Sequence, residues 1–349
     1  MQNRDIIVIG ASAGGFEAIR RLVAGLPAGL PASLFIVWHM APAVKSILPE
    51  ILNRLMTLPA ANAIDKEPIQ RGRIYIAPPD HHLLIEKDRV RITRGPRENR
   101  FRPAVDPLFR SAAYACGSRV IGIVLSGGLD DGTAGLWAIK YYNGVAIVQD
   151  PDDAEVSSMP QNALDTVNVD FKVPLSEIPP LLIKLVTQPA ERIENLQTPE
   201  HERAETEVRI ALQDDTLKRR IMEFGELTPY TCPECHGVLT AIKEGSRIRF
   251  RCHTGHAFSA DSLLATISES IEENLWFAVR SVHESVMFLN HLGDHFAALN
   301  RPRIAALYFK KAREAELRAV SVRKAVLAHE QLNTDSLEEQ ANEEPAAIK

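Results

Sequence analysis

Short runs of wholly apolar residues recur through the first half of the chain, and several are followed by a turn and an amphipathic stretch. Runs of this kind are typical of strands that are buried on both faces of a sheet. The clearest runs are residues 6–9, 34–38, 120–125 and 145–148. Since strand and helix signals alternate to about residue 185, the pattern predicts an α/β fold with a doubly wound, mainly parallel sheet and helices on both faces.

Two segments add detail to this alternation. Residues 73–92 favour short strands joined by turns, which predicts an antiparallel excursion from the sheet. Further along, Asp106 is followed by Pro107, and this pair predicts a helix with Asp106 as its N-cap and Pro107 at its first position. Residues 131–142 predict a loop that leads into another helix.

Beyond about residue 187 the alternation stops. Residues 189–226 are charged and poor in glycine, and they predict a connector with a helix near residues 205–224. The sequence leaves open whether that helix packs on the sheet. Apolar residues spaced three or four apart then run from 260 to about 299, with Ser259 in the N-cap position, and again from about 302 to 331. Two long helices with a short link predict an antiparallel hairpin.

These patterns divide the chain into five predicted parts. They are a sheet domain (1–187), a charged and partly helical connector (188–228), a Cys/His module (229–258), the helical hairpin (259–331) and an acidic tail (332–349). We expect the tail to be frayed, because it is rich in acidic residues and alanine and lies at a chain terminus.

The composition narrows the class of protein. The 349 residues carry a formal net charge of −5, with 45% apolar and 24% charged residues, which is ordinary for a soluble globular protein. No window approaches eighteen consecutive apolar residues and the N-terminus has no secretory signal, so we expect no membrane insertion. Three of the four cysteines cluster at metal-ligand spacing, which favours a reducing, cytoplasmic setting. The mild negative charge argues against nucleic acid as a partner.

A serine between glycines is the first candidate for chemistry. Residues 10–14 match the G-x-S-x-G pattern of a sharp strand-to-helix turn that exposes a nucleophilic serine, here Ser12. The helix start behind such a turn stabilises negative charge on a tetrahedral intermediate. A phosphate- or dinucleotide-binding loop uses similar elements, although the glycine spacing matches neither common version. The motif alone leaves both interpretations open.

A histidine and an aspartate at other strand ends favour the nucleophile. His39 ends the second predicted strand, and Asp130 and Asp131 follow the run at 120–125. The carboxyl ends of parallel strands lie at one edge of a sheet, where side chains from neighbouring strands meet. A histidine there can act as a general base, and an aspartate can orient it. The alternative is a structural histidine and an aspartate that caps a turn.

Six segments carry a resemblance to a known family. They are IGASAGG (9–15), WHM (38–40), GRIYIAPPDHHLL (72–84), RPAVDPLFRSAA (102–113), LSGGLDDGTAGL (125–136) and SSMPQNAL (157–164). In this order they resemble the catalytic domain of the CheB-type protein-glutamate methylesterases of bacterial chemotaxis. The resemblance runs from about residue 4 to residue 186.

The resemblance implies an activity and the residues that perform it. It implies that Ser12, His39 and Asp131 form a catalytic triad that hydrolyses glutamate γ-methyl esters on the cytoplasmic helices of methylated chemoreceptors and releases methanol. Some members also deamidate receptor glutamines. No cofactor takes part in this chemistry.

The sequence also departs from the family pattern. Residues Ala13, Gly14 and Gly128 lie in the loops expected to support the oxyanion, where many members have threonine in place of Ala13 and methionine in place of Gly128. We expect backbone N–H groups to preserve the oxyanion contacts. Many members also begin with a receiver domain, whereas this sequence starts five residues before its first predicted strand. We therefore expect no control by phosphorylation in cis.

Cysteines and histidines form a second group of candidate functional residues. Cys232 and Cys235 give C-x₂-C, and after a gap of sixteen residues Cys252 and His256 give C-x₃-H. This donor set suits a structural Zn²⁺ site with four protein ligands. Residues 239–250 predict a hairpin that brings the two halves together. The alternative is a similar motif that binds no metal.

Two other histidines are alternatives for the fourth metal ligand. His236 and His253 could replace His256, which we prefer because Gly255 lets the chain turn back towards the ion. Cys116 lies in an apolar helical context and is predicted to be a plain core residue. The resemblance also implies that a similar tail follows the esterase domain in some members.

The residues and the resemblance support two functions from different classes. The first is a protein-glutamate methylesterase, with glutamine deamidation as a further activity. The second is a regulatory binding protein without turnover that recruits partners through its C-terminal module, an alternative that Ala13 and Gly128 keep open. In either case the helical hairpin (259–331) could bind a receptor or a signalling adaptor, or it could serve in dimerisation or packing. Its basic second helix fits a solvated face.

Overall fold

The computed structural model of the chain describes residues 3–41, 46–191, 198–214, 220–244 and 247–332, together with residues 337 and 340. Contacts between residues divide the chain into two compact units, Met1–Leu263 and Leu264–Lys349. The acidic tail that we expect to be frayed lies, apart from residues 332, 337 and 340, outside the described residues. The five-part division of the chain stays a prediction.

A seven-stranded parallel sheet forms the centre of the first unit. The first nine strands are β1 (Ile6–Ala11), β2 (Ser33–Trp38), β3 (Ala60–Asn62), β4 (Ile74–Ile76), β5 (His82–Glu86), β6 (Arg89–Thr93), β7 (Val120–Val124), β8 (Val145–Gln149) and β9 (Phe171–Val173). All but β5 and β6 pair in parallel, in the order β3-β4-β2-β1-β7-β8-β9. Strands β5 and β6 form a separate antiparallel pair. The predicted parallel sheet and the antiparallel excursion are both confirmed.

Helices cover both faces of this sheet. They are α1 (Gly15–Ala24), α2 (Leu48–Asn53), α3 (Val105–Cys116), α4 (Thr133–Tyr141), α5 (Ser158–Thr166) and α6 (Ile178–Leu185). Successive residues of a strand point to opposite faces, so Ile7 and Ile9 of β1 belong to a core with residues of α1 and α6. Ile6 and Val8 belong to a second core with residues of α3 and α4. Burial on both faces explains why β1 is apolar at every position.

The prediction that Asp106 caps its own helix is wrong. Helix α3 begins at Val105, with Ala104 before it, so Asp106 lies inside the first turn. The Asp106 carboxylate instead accepts hydrogen bonds from the N–H groups of Gly132 (3.1 Å) and Gly135 (2.6 Å) at the start of α4. The N-terminus of a buried helix leaves such donors unpaired, and a carboxylate satisfies them well. Asp106 therefore ties α3 to α4.

The helix of the connector begins and ends earlier than predicted. Helix α7 spans Pro199–Ala211, and the Thr198 hydroxyl caps it by accepting a hydrogen bond from the His201 N–H. The predicted helix near residues 205–224 is wrong in its bounds, because Gln213 has a φ of 66° and its left-handed conformation ends the helix. Residues Arg220–Phe224 form a separate 3₁₀ turn.

Helix α7 packs on the sheet domain, which settles the question that the sequence left open. It contacts α3, and its Glu207 is buried there. Glu207 pairs with Arg110 of α3 at 2.9 Å and with Arg249, further along the chain, at 3.2 Å. The connector is thus joined by buried ion pairs to the elements on either side of it.

A four-stranded antiparallel sheet contains the Cys/His segment. Its strands are β10 (Glu226–Thr231), β11 (Val238–Glu244), β12 (Arg247–Cys252) and β13 (Ala257–Ser259), and they pair in this order. The hairpin predicted within residues 239–250 is confirmed as β11 and β12. Residues 245 and 246 at its tip lie outside the described residues.

Two long helices follow, α8 (Ala260–Ala298) and α9 (Pro302–Leu327). The Ser259 hydroxyl accepts a hydrogen bond from the Ser262 N–H at 3.0 Å, so Ser259 is the N-cap of α8 as predicted. Helix α9 ends four residues before the predicted end at 331. A seam between the helices contains Val286, Ala312 and Ala315, and the predicted hairpin is confirmed. Within the described residues, no helix combines the length and the apolar character needed to cross a bilayer.

Candidate active site

The three residues expected to form a triad lie at the carboxyl ends of three neighbouring strands. Ser12 follows β1, His39 follows β2, and Asp131 lies in the loop after β7. Because β2, β1 and β7 are adjacent in the sheet, the fold brings these three loops together at one edge.

Ser12, His39 and Asp131 form a continuous chain of hydrogen bonds. His39 Nε2 lies 2.7 Å from Asp131 Oδ2, and His39 Nδ1 lies 3.2 Å from Ser12 Oγ. An ionised carboxylate can only accept, so Asp131 fixes the imidazole proton on Nε2. The lone pair on Nδ1 then faces the serine hydroxyl. A general base needs this arrangement to remove the hydroxyl proton.

Asp131 is buried and yet held as a carboxylate. Burial by itself would raise its pKa, but hydrogen bonds from His39, from the Val105 N–H (2.7 Å) and from the Asn99 side chain (2.9 Å) outweigh burial and lower the pKa below its ordinary value. The Asp106 N–H lies 3.2 Å from the same carboxylate. Asp131 can therefore stabilise an imidazolium that forms on His39.

Asn99 links the triad aspartate to a second buried carboxylate. Its Nδ2 donates to Asp131 Oδ1 (2.9 Å) and to Asp106 Oδ2 (2.8 Å). Burial, together with the charge of Asp131, raises the pKa of Asp106 to about 6. The amide donors between the two carboxyl groups offset part of their repulsion. Asn99 was not among the predicted site residues, and its only signal in the sequence is its position just before the segment at 102–113.

Phe101 supports the histidine from the same loop. Its ring stacks on the His39 ring, with centroids 3.8 Å apart and planes 12° apart. A stacked ring restricts rotation of the imidazole and shields one of its faces from water. Phe101 was not predicted either, because a single aromatic residue in a loop gives no distinctive pattern.

Backbone N–H groups around Ser12 differ in whether they already have an acceptor. The Ser12 N–H donates to the carbonyl oxygen of Ser126 at 3.0 Å, so it is already used. Within the described residues, the N–H groups of Ala13, Gly14 and Gly128 donate to no acceptor. Gly14 has a φ of 71°, and a Cβ there would lie 2.6 Å from Ser126 Oγ, so this turn requires glycine.

The Asp130 side chain bonds to a serine outside the triad. Its carboxyl group accepts a hydrogen bond from the Ser259 hydroxyl at 2.6 Å. Burial and the nearby Asp261 raise the pKa of Asp130 to about 8. Of the two neighbouring aspartates, the structure brings Asp131 to the histidine.

The residues expected to bind metal converge in the antiparallel sheet. The ligand atoms of Cys232, Cys235, Cys252 and His256 all lie within 4.8 Å of one another. The turn between β10 and β11 supplies the first two, and the end of β12 and the turn after it supply the others. Gly255 has a φ of 100°, which gives the chain the reversal that the sequence predicts. The rivals His236 and His253 lie outside this group.

Comparison with known proteins matches the sheet domain to one family. The family model described as CheB methylesterase matches residues 7–182, just over half of the chain. A protein from Leptospira interrogans is 39% identical over 184 residues, which are 52% of this chain and 95% of that protein. A protein from Chromohalobacter salexigens, named protein-glutamate methylesterase/protein-glutamine glutaminase, is 37% identical over 188 residues, which are 53% of this chain and 53% of that protein.

A solved structure gives the same match. The crystal structure of the Thermotoga maritima CheB methylesterase catalytic domain is 33% identical in sequence, with a TM-score of 0.51, and the match covers 53% of this chain and 100% of that one. This chain spans about half the length of relatives such as the C. salexigens protein. The family match ends before the Cys/His segment begins.

Proposed function

This chain belongs to the CheB methylesterase family, and from that membership we propose that it hydrolyses γ-methyl esters of glutamate side chains in proteins. One observation carries the proposal: Ser12, His39 and Asp131 form a hydrogen-bonded chain at the ends of three adjacent strands. Relatives matched over the same part of the chain are named protein-glutamate methylesterases.

In the first half of the proposed reaction, Ser12 becomes acylated. Ser12 Oγ attacks the carbonyl carbon of the ester while its proton passes to His39 Nδ1. Asp131 stabilises the resulting imidazolium through its hydrogen bond with Nε2. The tetrahedral intermediate then collapses, the C–O bond to the methoxy group breaks, and the methoxy oxygen takes the proton from His39 and leaves as methanol.

The second half of the reaction restores the serine. Water attacks the glutamyl ester on Ser12, His39 takes a proton from that water, and the same proton returns to Ser12 Oγ as the glutamate leaves. We assign stabilisation of the oxyanion to the N–H groups of Ala13, Gly14 and Gly128, which are free of other acceptors within the described residues. A backbone donor does not depend on the side chain, so the alanine at 13 and the glycine at 128 are compatible with turnover.

The proposed substrates are methylated chemoreceptors, encountered in the cytoplasm. Glutamine deamidation is a second activity of the same site, because a glutamine side chain presents the same carbonyl and loses ammonia where the ester loses methanol. Relatives are named for both reactions.

The proposal is tested by methanol release from methylated chemoreceptor cytoplasmic fragments. We expect release by the wild type and a loss of about 10⁴-fold or more in Ser12→Ala, because removal of the nucleophile abolishes acylation. Ser176→Ala, which changes an exposed serine, is the matched control and should release methanol at the wild-type rate. Folded wild-type protein that releases none from several well-methylated receptors would overturn the proposal and favour a binding protein without turnover.

The Cys/His cluster supports a separate proposal, a structural Zn²⁺ ion. In a tetrahedral site with Zn–S bonds of about 2.3 Å, two sulfur atoms lie about 3.8 Å apart. The Sγ atoms of Cys235 and Cys252 lie 3.7 Å apart, and His256 Nδ1 lies 3.7 Å from the Sγ of Cys232 and 3.6 Å from that of Cys252. The donor spacing thus fits a tetrahedral ion. Four protein ligands leave no position for water, so the ion would stabilise the module and take no part in hydrolysis.

A further inference from the structure

The loop between β6 and α3 carries two side chains that touch the triad. Asn99 donates a hydrogen bond to Asp131, and Phe101 stacks on His39. Asn99 is only 3% exposed, so it acts inside the protein and has no access to a substrate. The position of this loop therefore affects the geometry of two members of the triad.

The last strand of the antiparallel sheet holds this loop through main-chain hydrogen bonds. The Asn99 N–H donates to the carbonyl oxygen of Ala257 at 2.8 Å, and the Ala257 N–H donates to that of Arg97 at 3.2 Å. Glu98 thereby forms a parallel bridge with Ala257, the first residue of β13. The backbone that presents Asn99 is thus fixed by the Cys/His module.

The start of α8 fixes the orientation of the Asn99 amide. Its Oδ1 accepts hydrogen bonds from the Ser259 N–H (3.0 Å) and the Ser262 hydroxyl (3.3 Å). The NH₂ side of the amide then faces Asp131 and Asp106. Rotating the amide by half a turn would place its oxygen against two carboxyl groups and its NH₂ against an N–H donor. The four partners together therefore select one orientation.

Buried ion pairs beside the loop join the Cys/His module to the sheet domain. Glu98 pairs with Arg110 of α3 at 2.6 Å and with Arg251 of β12 at 3.0 Å. Burial by itself would raise the pKa of Glu98, but the charges of Arg110 and Arg251 lower it to about 2. Separating the module from the sheet domain would remove a charged partner from a buried carboxylate, which is costly.

We propose that Asn99 is a positioning residue for Asp131 and that Ser259 and Ser262, which follow the Cys/His module, hold it in place. The Cys/His module then helps to fix the geometry of the triad. This inference rests on the proposed function and deepens it, since it concerns the same triad. The family match covers residues 7–182, so the serines that hold the amide lie outside it.

Two variants and one control test the proposal. Asn99→Gly removes the amide, and glycine tolerates the φ of 48° at this position. Ser262→Ala removes one of the two donors that orient the amide. Ser268→Ala is the matched control, because it changes another buried serine of α8 whose hydroxyl bonds to the N–H of Leu332.

We expect kcat to fall about 10- to 100-fold in Asn99→Gly, the range for losing a hydrogen bond to a charged group, and about 3- to 10-fold in Ser262→Ala. KM should stay unchanged, because neither residue touches the substrate. The acid limb of the kcat/KM profile should move to higher pH in Asn99→Gly, because Asp131 without this donor is a more basic carboxylate and holds the proton that it shares with His39 Nε2 more strongly. Ser268→Ala should match the wild type in kcat and pH profile.

A purely structural role gives a different result and would overturn the inference. In that case the variants would have a lower melting temperature, while their folded fraction would keep the wild-type kcat and pH profile. The rate at which a fluorophosphonate labels Ser12 provides a readout that does not require the proposed substrate. If methylated receptors are not hydrolysed but labelling is slower in Asn99→Gly and Ser262→Ala, the proposed substrate fails and the inference stands.

Discussion

The carboxyl groups around the triad differ in charge because they differ in hydrogen-bond donors. Asp131 receives donors from His39, Val105 and Asn99, and its pKa is lowered. Asp130, the adjacent residue, receives one hydroxyl from Ser259, and burial raises its pKa to about 8. At neutral pH Asp131 is therefore ionised, whereas the adjacent Asp130 is mostly protonated. Protonation of Asp130 keeps its charge from adding to those of Asp131 and Asp106, which share the Asn99 amide.

Replacing Asp130 with asparagine should stabilise the protein at high pH. A carboxyl group whose pKa is raised on folding contributes its full stability below its unfolded pKa of about 3.8 and loses that contribution as the pH rises towards about 8. Asp130→Asn removes the penalty, because the amide is neutral and its oxygen can still accept the Ser259 hydroxyl. We expect little change in the free energy of unfolding at pH 4 and a gain of about 2 kcal/mol or more at pH 9.

Urea denaturation at pH 4, 6, 8 and 9 measures this difference. Asp152→Asn, a change at an exposed aspartate in the same domain, is the control and should follow the wild type at every pH. A difference between Asp130→Asn and the wild type that does not grow with pH would contradict the prediction.

At the scale of elements, the features that local patterns encode were predictable, and those built by distant contacts were not. Apolar runs predicted β1, β2 and β7, and the residues after parallel strands share an edge, so the pattern placed Ser12, His39 and the pair Asp130 and Asp131 together. The family resemblance then selected Asp131 from that pair. The contact between Asn99 and Ser259 joins residues 160 positions apart, and no periodicity encodes it. The capping role of Asp106 was mistaken for the same reason, because its partners belong to a different helix.

The Cys/His module gives a prediction at this scale. Purified wild-type protein should contain about one zinc ion per chain, and Cys232→Ser/Cys235→Ser should lose it, because two of four ligands are removed. Cys116→Ser is the control: Cys116 ends α3 and packs against the sheet core, away from the cluster, so this variant should keep its zinc. Equal and substoichiometric zinc in the wild type and the double variant, measured by elemental analysis, would show that the motif binds no metal.

At the scale of the whole molecule, the family match explains only half of the chain. The L. interrogans relative has 95% of its length within the matched segment, so that protein has little sequence beyond the esterase domain. In this chain, by contrast, the loop that supports Asp131 and His39 is paired with β13, and Glu98 depends on an arginine from β12. In this chain, residues that follow the matched segment therefore contact the loop that supports the triad.

Two truncations separate the contributions of the parts that follow the sheet domain. Every described contact of the triad, of Asn99 and of Phe101 lies within Met1–Leu263, so a chain that ends after Leu263 should keep the kcat of the full chain. A chain that ends after residue 225 lacks the donors from Ser259 and Ser262 and the charge of Arg251. Its kcat should fall about 10- to 100-fold, even where circular dichroism shows that the α/β fold persists. Full activity in this shorter chain would mean that the sheet domain positions its triad without the residues that follow it. Loss of activity in both truncations would instead show that activity requires residues after 263.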